Sequence, residues 1–104
     1  MKVHTEAVQF KADQKLIDYI QHKVSKLEIF FDRIIEANVI LRLENTGQVR
    51  DKITEIRLLV PGQTLFASDT KKTFEASVVG AIDNLKRQLT RYKDKLRNHD
   101  HRAA

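Results

Sequence analysis

The sequence predicts a two-layer α+β domain, a four-stranded sheet carrying both helices on one face in the order β-α-β-β-β-α. Two segments, about residues 13–29 and 73–97, space their apolar residues by threes and fours, the period of one buried helical face. Between them lie apolar or alternating runs separated by polar, Gly- or Pro-containing turns, the pattern of strands in a meander. Two one-sided helices need a common apolar surface, and one face of the sheet supplies it.

Lys2–Glu6, KVHTE, reads as a short first strand. Asp13 is placed to cap the first helix, whose seam is Leu16, Ile20, Val24, Leu27 and Phe31. Lys15, His22, Lys23 and Lys26 make its polar flank basic, with Tyr19 nearby. Phe30 and Phe31 are expected to pack under the sheet, with Asp32-Arg33 as the turn. Ala37–Glu44 alternates Ala37, Val39, Leu41 and Leu43 against Asn38, Ile40, Arg42 and Glu44, a strand with one apolar face. Asn45-Thr46-Gly47-Gln48 reads as a polar hairpin loop, Lys52–Val60 as the third strand, Pro61-Gly62 as a turn and Thr64–Ser68 as the last strand.

Thr73 is a plausible cap for the long second helix, and Glu75 suits its first turn. The seam is Phe74, Val78, Ile82, Leu85, Leu89, Tyr92 and Leu96. Tyr92 on that seam reads as a core residue with its hydroxyl at the rim rather than as a base-stacking platform. One domain is expected over residues 1–98, followed by a flexible tail, residues 99–104.

Charge is concentrated on the second helix. Residues 86–97 hold six Lys and Arg against one Asp, a net of +5, whereas residues 1–85 hold twelve of each sign. The whole formal charge of +5 therefore sits on about three helical turns. At about 100° per residue the cations form two stripes, Arg87-Arg91-Lys95 and Lys86-Lys93-Arg97, on opposite sides of the seam. Lys and Arg beside an apolar seam can simply cover the edges of the core. Two stripes with a single interleaved acid favour a surface for phosphate.

Other chemistry is thin. The chain has no Cys, which removes thiolate catalysis, disulfides and zinc-cysteine sites. His99 and His101 give too few ligands for a closed metal site, and His4 and His22 are isolated. Ser25, Ser68 and Ser77 lie in no nucleophile-elbow pattern, and neither a P-loop nor GxGxxG occurs. No catalytic residue, metal or cofactor is expected. The N-terminus has no h-region of a secretory signal, and no apolar run reaches 18 residues.

KLEIFFDRI (26–34), VILRLEN (39–45), KITEI (52–56) and AIDNLKRQLTRYKDKL (81–96) resemble the ribosome hibernation-promoting factors, a family also called ribosome-associated inhibitors or sigma-factor modulation proteins. The likeness runs through about residue 98. Separately, the element order resembles a double-stranded-RNA-binding domain with an extra strand in front, an analogy of layout alone. The family resemblance implies a non-catalytic, cytoplasmic translation inhibitor. Such a protein binds the small ribosomal subunit and its 16S rRNA in the decoding channel between head and body. There it blocks messenger and transfer RNA when growth slows or under stress, as in stationary phase. The 30S subunit and 70S ribosome are the expected partners, with no membrane and no small-molecule substrate.

The family's basic positions fall on Lys23 and Lys26 in the first helix and on Arg87, Arg91 and Lys95 in the second, with Lys86 and Lys93 as secondary candidates. Where the family commonly has Tyr and Asp near the start of the second helix, this chain has Glu75 and Val79. The Glu44–Asp51 segment reads as a longer loop than is usual in the family, and a short form lacking a C-terminal dimerisation domain is expected. A monomer is also expected, because the apolar positions are used up by two seams and one sheet face. Ile40, Ile53 and Leu59 are left for the open sheet face. The alternatives are a generic structured-RNA-binding domain and a protein-interaction module acting on a sigma factor.

Overall fold

The computed structural model describes the chain apart from residues 47–48 and 104, and apart from the side chains of residues 45–50 and 98–104. Strand β1 is Lys2–Ala7, helix α1 Gln14–Ser25, β2 Glu36–Thr46, β3 Val49–Val60, β4 Gln63–Lys71 and helix α2 Phe74–Ala103. The strands form one mixed sheet in the order β1-β2-β3-β4. β2, β3 and β4 are the expected antiparallel meander, and β1 pairs in parallel with β2, from Lys2↔Glu36 to Ala7↔Leu41. A parallel pair needs a crossover, and α1 with the segment after it provides one.

Side-chain alternation sorts the sheet into two faces. Ala37, Val39 and Leu41 on β2, Ile56 and Leu58 on β3, and Leu65 and Ala67 on β4 are buried on the side of the helices. Against them lie Ile20 and Val24 of α1 and Phe74, Val78, Ala81, Ile82, Leu85, Leu89 and Tyr92 of α2, in one core. Ile40, Ile53 and Leu59 face the other way and are half-buried, as their alternation requires.

Asp13 caps α1, its carboxylate accepting the amide N–H of Leu16 at 2.8 Å. Helical structure then tightens into a 3₁₀ turn, Lys26–Ile29, within the stretch expected to be continuous α-helix to residue 29. The amides of Phe30 and Phe31 both donate to the Leu27 carbonyl. The expectation that both phenylalanines pack under the sheet holds for Phe31 alone, which is 7% exposed against 39% for Phe30. The Phe31 ring meets Tyr92 edge-on at 5.3 Å and closes the core there, which leaves Phe30 at the rim.

Two further expectations are corrected. Asn45 and Thr46 are paired strand, with Asn45↔Arg50 and Thr46↔Val49 continuing the ladder, so Glu44–Asp51 is mostly hairpin rather than a long loop. Backbone pairing needs no apolar side chains, and β-branched Thr46 and Val49 suit a strand. α2 also runs to Ala103, past the end expected at Arg97. No Gly or Pro between those residues interrupts it. Residues 47–48 of the expected loop lie outside the described residues.

Polar ties set the position of α2. Tyr92 Oη donates to the Pro61 carbonyl at 2.6 Å, binding the helix to the β3–β4 turn. In that turn Gly62 has a φ of +84°, which a side chain would disfavour. The buried Thr54 and Ser77 hydroxyls bond each other at 2.6 Å, and Ser77 also donates to the Phe74 carbonyl. Gly80 passes so close to the Asp69 carboxylate of β4 that a Cβ would overlap it.

Candidate nucleic-acid interface

The apolar seam of α2 faces the sheet, so its two basic stripes are forced onto opposite flanks. Which flank meets which neighbour follows from the contacts. Gln88, next on the helical wheel to Lys95 and Arg91, donates to the Phe66 carbonyl of β4 at 2.7 Å. The Arg87-Arg91-Lys95 stripe therefore lies on the β4 side. Lys86 and Lys93 reach the segment after α1. The Lys86 ammonium is 5.1 Å from the Phe30 ring centroid, and Lys93 Nζ donates to the Phe30 carbonyl at 2.7 Å.

Lys23, Lys26 and Lys86 line one groove of about 320 Å³ between the two helices, together with Phe30, Val79 and Asp83. Lys93 and Arg97 line a second groove of about 500 Å³, with Arg33, Phe31 and Asp32 across from them. The structure thus joins the α1 lysines to Lys86, whereas Arg87, Arg91 and Lys95 lie about 100°, 140° and 180° round α2 from Lys86. A surface running directly from Lys23 and Lys26 to Arg87, Arg91 and Lys95 does not form between the helices. It would have to pass over the exposed back of α2.

Occupancy differs between the cations. Lys86 lies 4.0 Å from Asp83, and the Lys23 ammonium sits 5.6 Å from the Tyr19 ring centroid. Among the described residues, Lys23, Lys26, Arg87, Arg91 and Lys95 have no carboxylate within ion-pair distance. Unpaired cations lose no internal partner when they bind phosphate, and phosphate contacts fix position without reading bases.

Two residues of these grooves carry no binding role in the sequence pattern, which marks them only for packing and for a turn. Arg33 enters the second groove with its guanidinium 5.1 Å from the Phe31 ring centroid, and Phe30 is the aromatic shared by both grooves. Their only signal was membership of the IFFDRI segment. Tyr92 is buried, as expected from its place on the seam. Among the described residues no group of three or more His, Cys, Asp or Glu is arranged to hold a metal, and no helix is long and apolar enough to cross a membrane. The side chains of His99 and His101 lie outside the described residues.

A family model described as sigma 54 modulation protein / S30EA ribosomal protein matches residues 3–97. The chain belongs to this family. Its relatives include a ribosome hibernation promoting factor of Klebsiella oxytoca, 42% identical over 82 residues, covering 79% of this chain and 82% of the relative. The ribosome hibernation promoting factor of Escherichia coli K12 is 33% identical over 99 residues, covering 95% of this chain and all of the relative. Among solved structures, a ribosomal subunit interface protein from Coxiella burnetii superposes with a TM-score of 0.79 at 19% identity, covering 90% of this chain and 99% of that one. The N-terminal domain of Thermus thermophilus Protein Y gives 0.71 at 23%, covering 88% and 94%. At these identities the two structures establish the fold. Family membership agrees with the resemblance carried by the segments from KLEIFFDRI to AIDNLKRQLTRYKDKL. The analogy with a double-stranded-RNA-binding domain rests on element order alone.

Proposed function

We propose that this chain is a non-catalytic ribosome hibernation factor that binds the small subunit through 16S rRNA in the decoding channel. There the folded domain excludes messenger and transfer RNA under slow growth or stress. The observation that carries this reading is the near full-length likeness to proteins named ribosome hibernation promoting factors. The distribution of charge supports it: the net +5 of residues 86–97 lies on the exposed back and flanks of one helix. Lys23, Lys26, Lys86, Arg87, Arg91, Lys93 and Lys95 are the phosphate-binding residues in this reading. Phosphate contacts are blind to sequence, so specificity comes from the shape of the cleft that accepts the domain.

Sedimentation of the purified protein with 30S, 50S and 70S particles tests the proposal. The protein should travel with 30S and 70S and stay behind with isolated 50S. Remaining at the top of all three gradients at low salt would refute ribosome binding. Equal retention on naked duplex RNA would favour the generic RNA-binding reading.

A further inference from the structure

Phe30 is an aromatic that the closed core leaves exposed at the rim. Leu27 and Phe31 on either side are buried, while Ile29 is 83% and Phe30 39% exposed. The backbone there is held, since Phe30 donates its amide to Leu27 and accepts the Lys93 ammonium on its carbonyl. The ring stands between the two grooves, with Lys23, Lys26 and Lys86 on one side and Arg33, Lys93 and Arg97 on the other. Three carboxylates, Glu28, Asp32 and Asp83, also line these grooves, so cations outnumber them two to one. A rigidly mounted apolar ring amid cations matches poorly with an apolar partner, which would have to bury those charges. It matches a nucleotide, whose phosphates meet the cations while its base covers the ring.

We propose that Phe30 is a base-stacking contact for an unpaired nucleotide, so that the RNA bound at this corner is not a continuous duplex. The inference rests on the RNA-binding reading above and adds the class of RNA. A paired base in an A-form helix has its faces covered by its neighbours, whereas a splayed base offers a face to an aromatic side chain. The Lys86 ammonium lies over one face of the ring, 5.1 Å from its centroid, so a base would stack on the other face and Lys86 is placed to take a phosphate of the stacked nucleotide.

The test has two arms. In the first, Phe30→Leu and Phe30→Tyr are compared with the unaltered protein for 30S affinity across a salt series. Phe30→Leu should weaken binding by roughly five- to tenfold and Phe30→Tyr should retain it, because stacking needs the ring. The slope of log affinity against log salt should not change, since no cation is lost, whereas Lys86→Met should flatten it by about one unit. Unchanged affinity in Phe30→Leu overturns the proposal. The second arm uses Phe30→Trp, which places the only tryptophan in the chain at this site. Its fluorescence should be quenched by a single-stranded RNA oligomer and not by a duplex of the same sequence. No quenching by the single strand, or equal quenching by both, overturns the proposal. This arm decides the matter if Phe30→Leu unfolds or if the unaltered protein fails to bind 30S particles; the latter result alone would defeat the ribosomal reading.

Discussion

The two flanks of α2 carry three cations each and look equivalent in sequence, yet the fold treats them differently. On the α1 side, Lys93 is bonded to the Phe30 carbonyl and Lys86 lies between Asp83 and the Phe30 ring. These cations help shape the corner they occupy. On the β4 side, Arg87, Arg91 and Lys95 are exposed, and Gln88 makes the polar tie to the sheet. Removing a cation there should cost ligand affinity and leave the fold alone. A cation's position on a helical wheel therefore does not tell whether it serves the fold, the ligand or both.

The largest expected effect comes from reversing charge on both sides. Lys23→Glu, Lys26→Glu, Arg87→Glu and Arg91→Glu together should reduce 30S affinity by more than about 1000-fold at 0.1 M salt, as each lost phosphate contact forfeits counterion release. Either pair alone should cost on the order of 50-fold and flatten the salt slope by about two units. If the fourfold variant binds no worse than one of the pairs, only one flank touches RNA and the comparison is decided in its favour. Circular dichroism should show all three variants folded, since none of these side chains belongs to the buried core.

Charge alone is separated from position by Lys2→Glu with Arg57→Glu. Both residues lie on the open sheet face and the double variant changes net charge by the same four units as either pair. Its affinity should fall by less than about threefold, because screening at 0.1 M salt confines charge effects to about 10 Å. A loss equal to that of Arg87→Glu with Arg91→Glu would mean that overall charge, not the stripes, governs binding.

The smallest effect sharpens the contrast in stability. Lys93→Met should lose about 1 kcal/mol through its hydrogen bond to Phe30, a fall in Tm of roughly 4–8 °C for a domain of this size. Arg91→Met should stay within about 0.5 kcal/mol of the unaltered protein, as exposed substitutions usually do. Thermal melts of the two would answer this, and equal Tm values would show that the α1-side flank is no more involved in the fold than the other.

Much of the fold was legible because each element announces its own period. The α2 seam from Phe74 to Leu96 and the β2 face from Ala37 to Leu43 both proved to be inward-facing. The hairpin connection was legible, but the extension of its strands through Asn45↔Arg50 and Thr46↔Val49 was not, because that ladder is made by backbone groups whose pairing leaves no hydropathy pattern. Phe31 continues the seam of the first helix and Phe30 does not, yet their equal hydrophobicity predicts both under the sheet. The Tyr92 ring packed edge-on to Phe31 determines which of them is buried.

By itself the sequence determined the two helical seams, the meander and the concentration of charge on α2, since these follow from local backbone geometry and side-chain polarity. Only the tertiary structure decided that β1 runs parallel to β2 at the sheet edge and that Lys23 and Lys26 meet Lys86 rather than Arg87. A wheel drawn for one helix shows that it has two flanks. Which flank faces a neighbour depends on how elements far apart in the chain share one core: α2 lies against β3 and β4, and α1 fills the space on its Lys86 side.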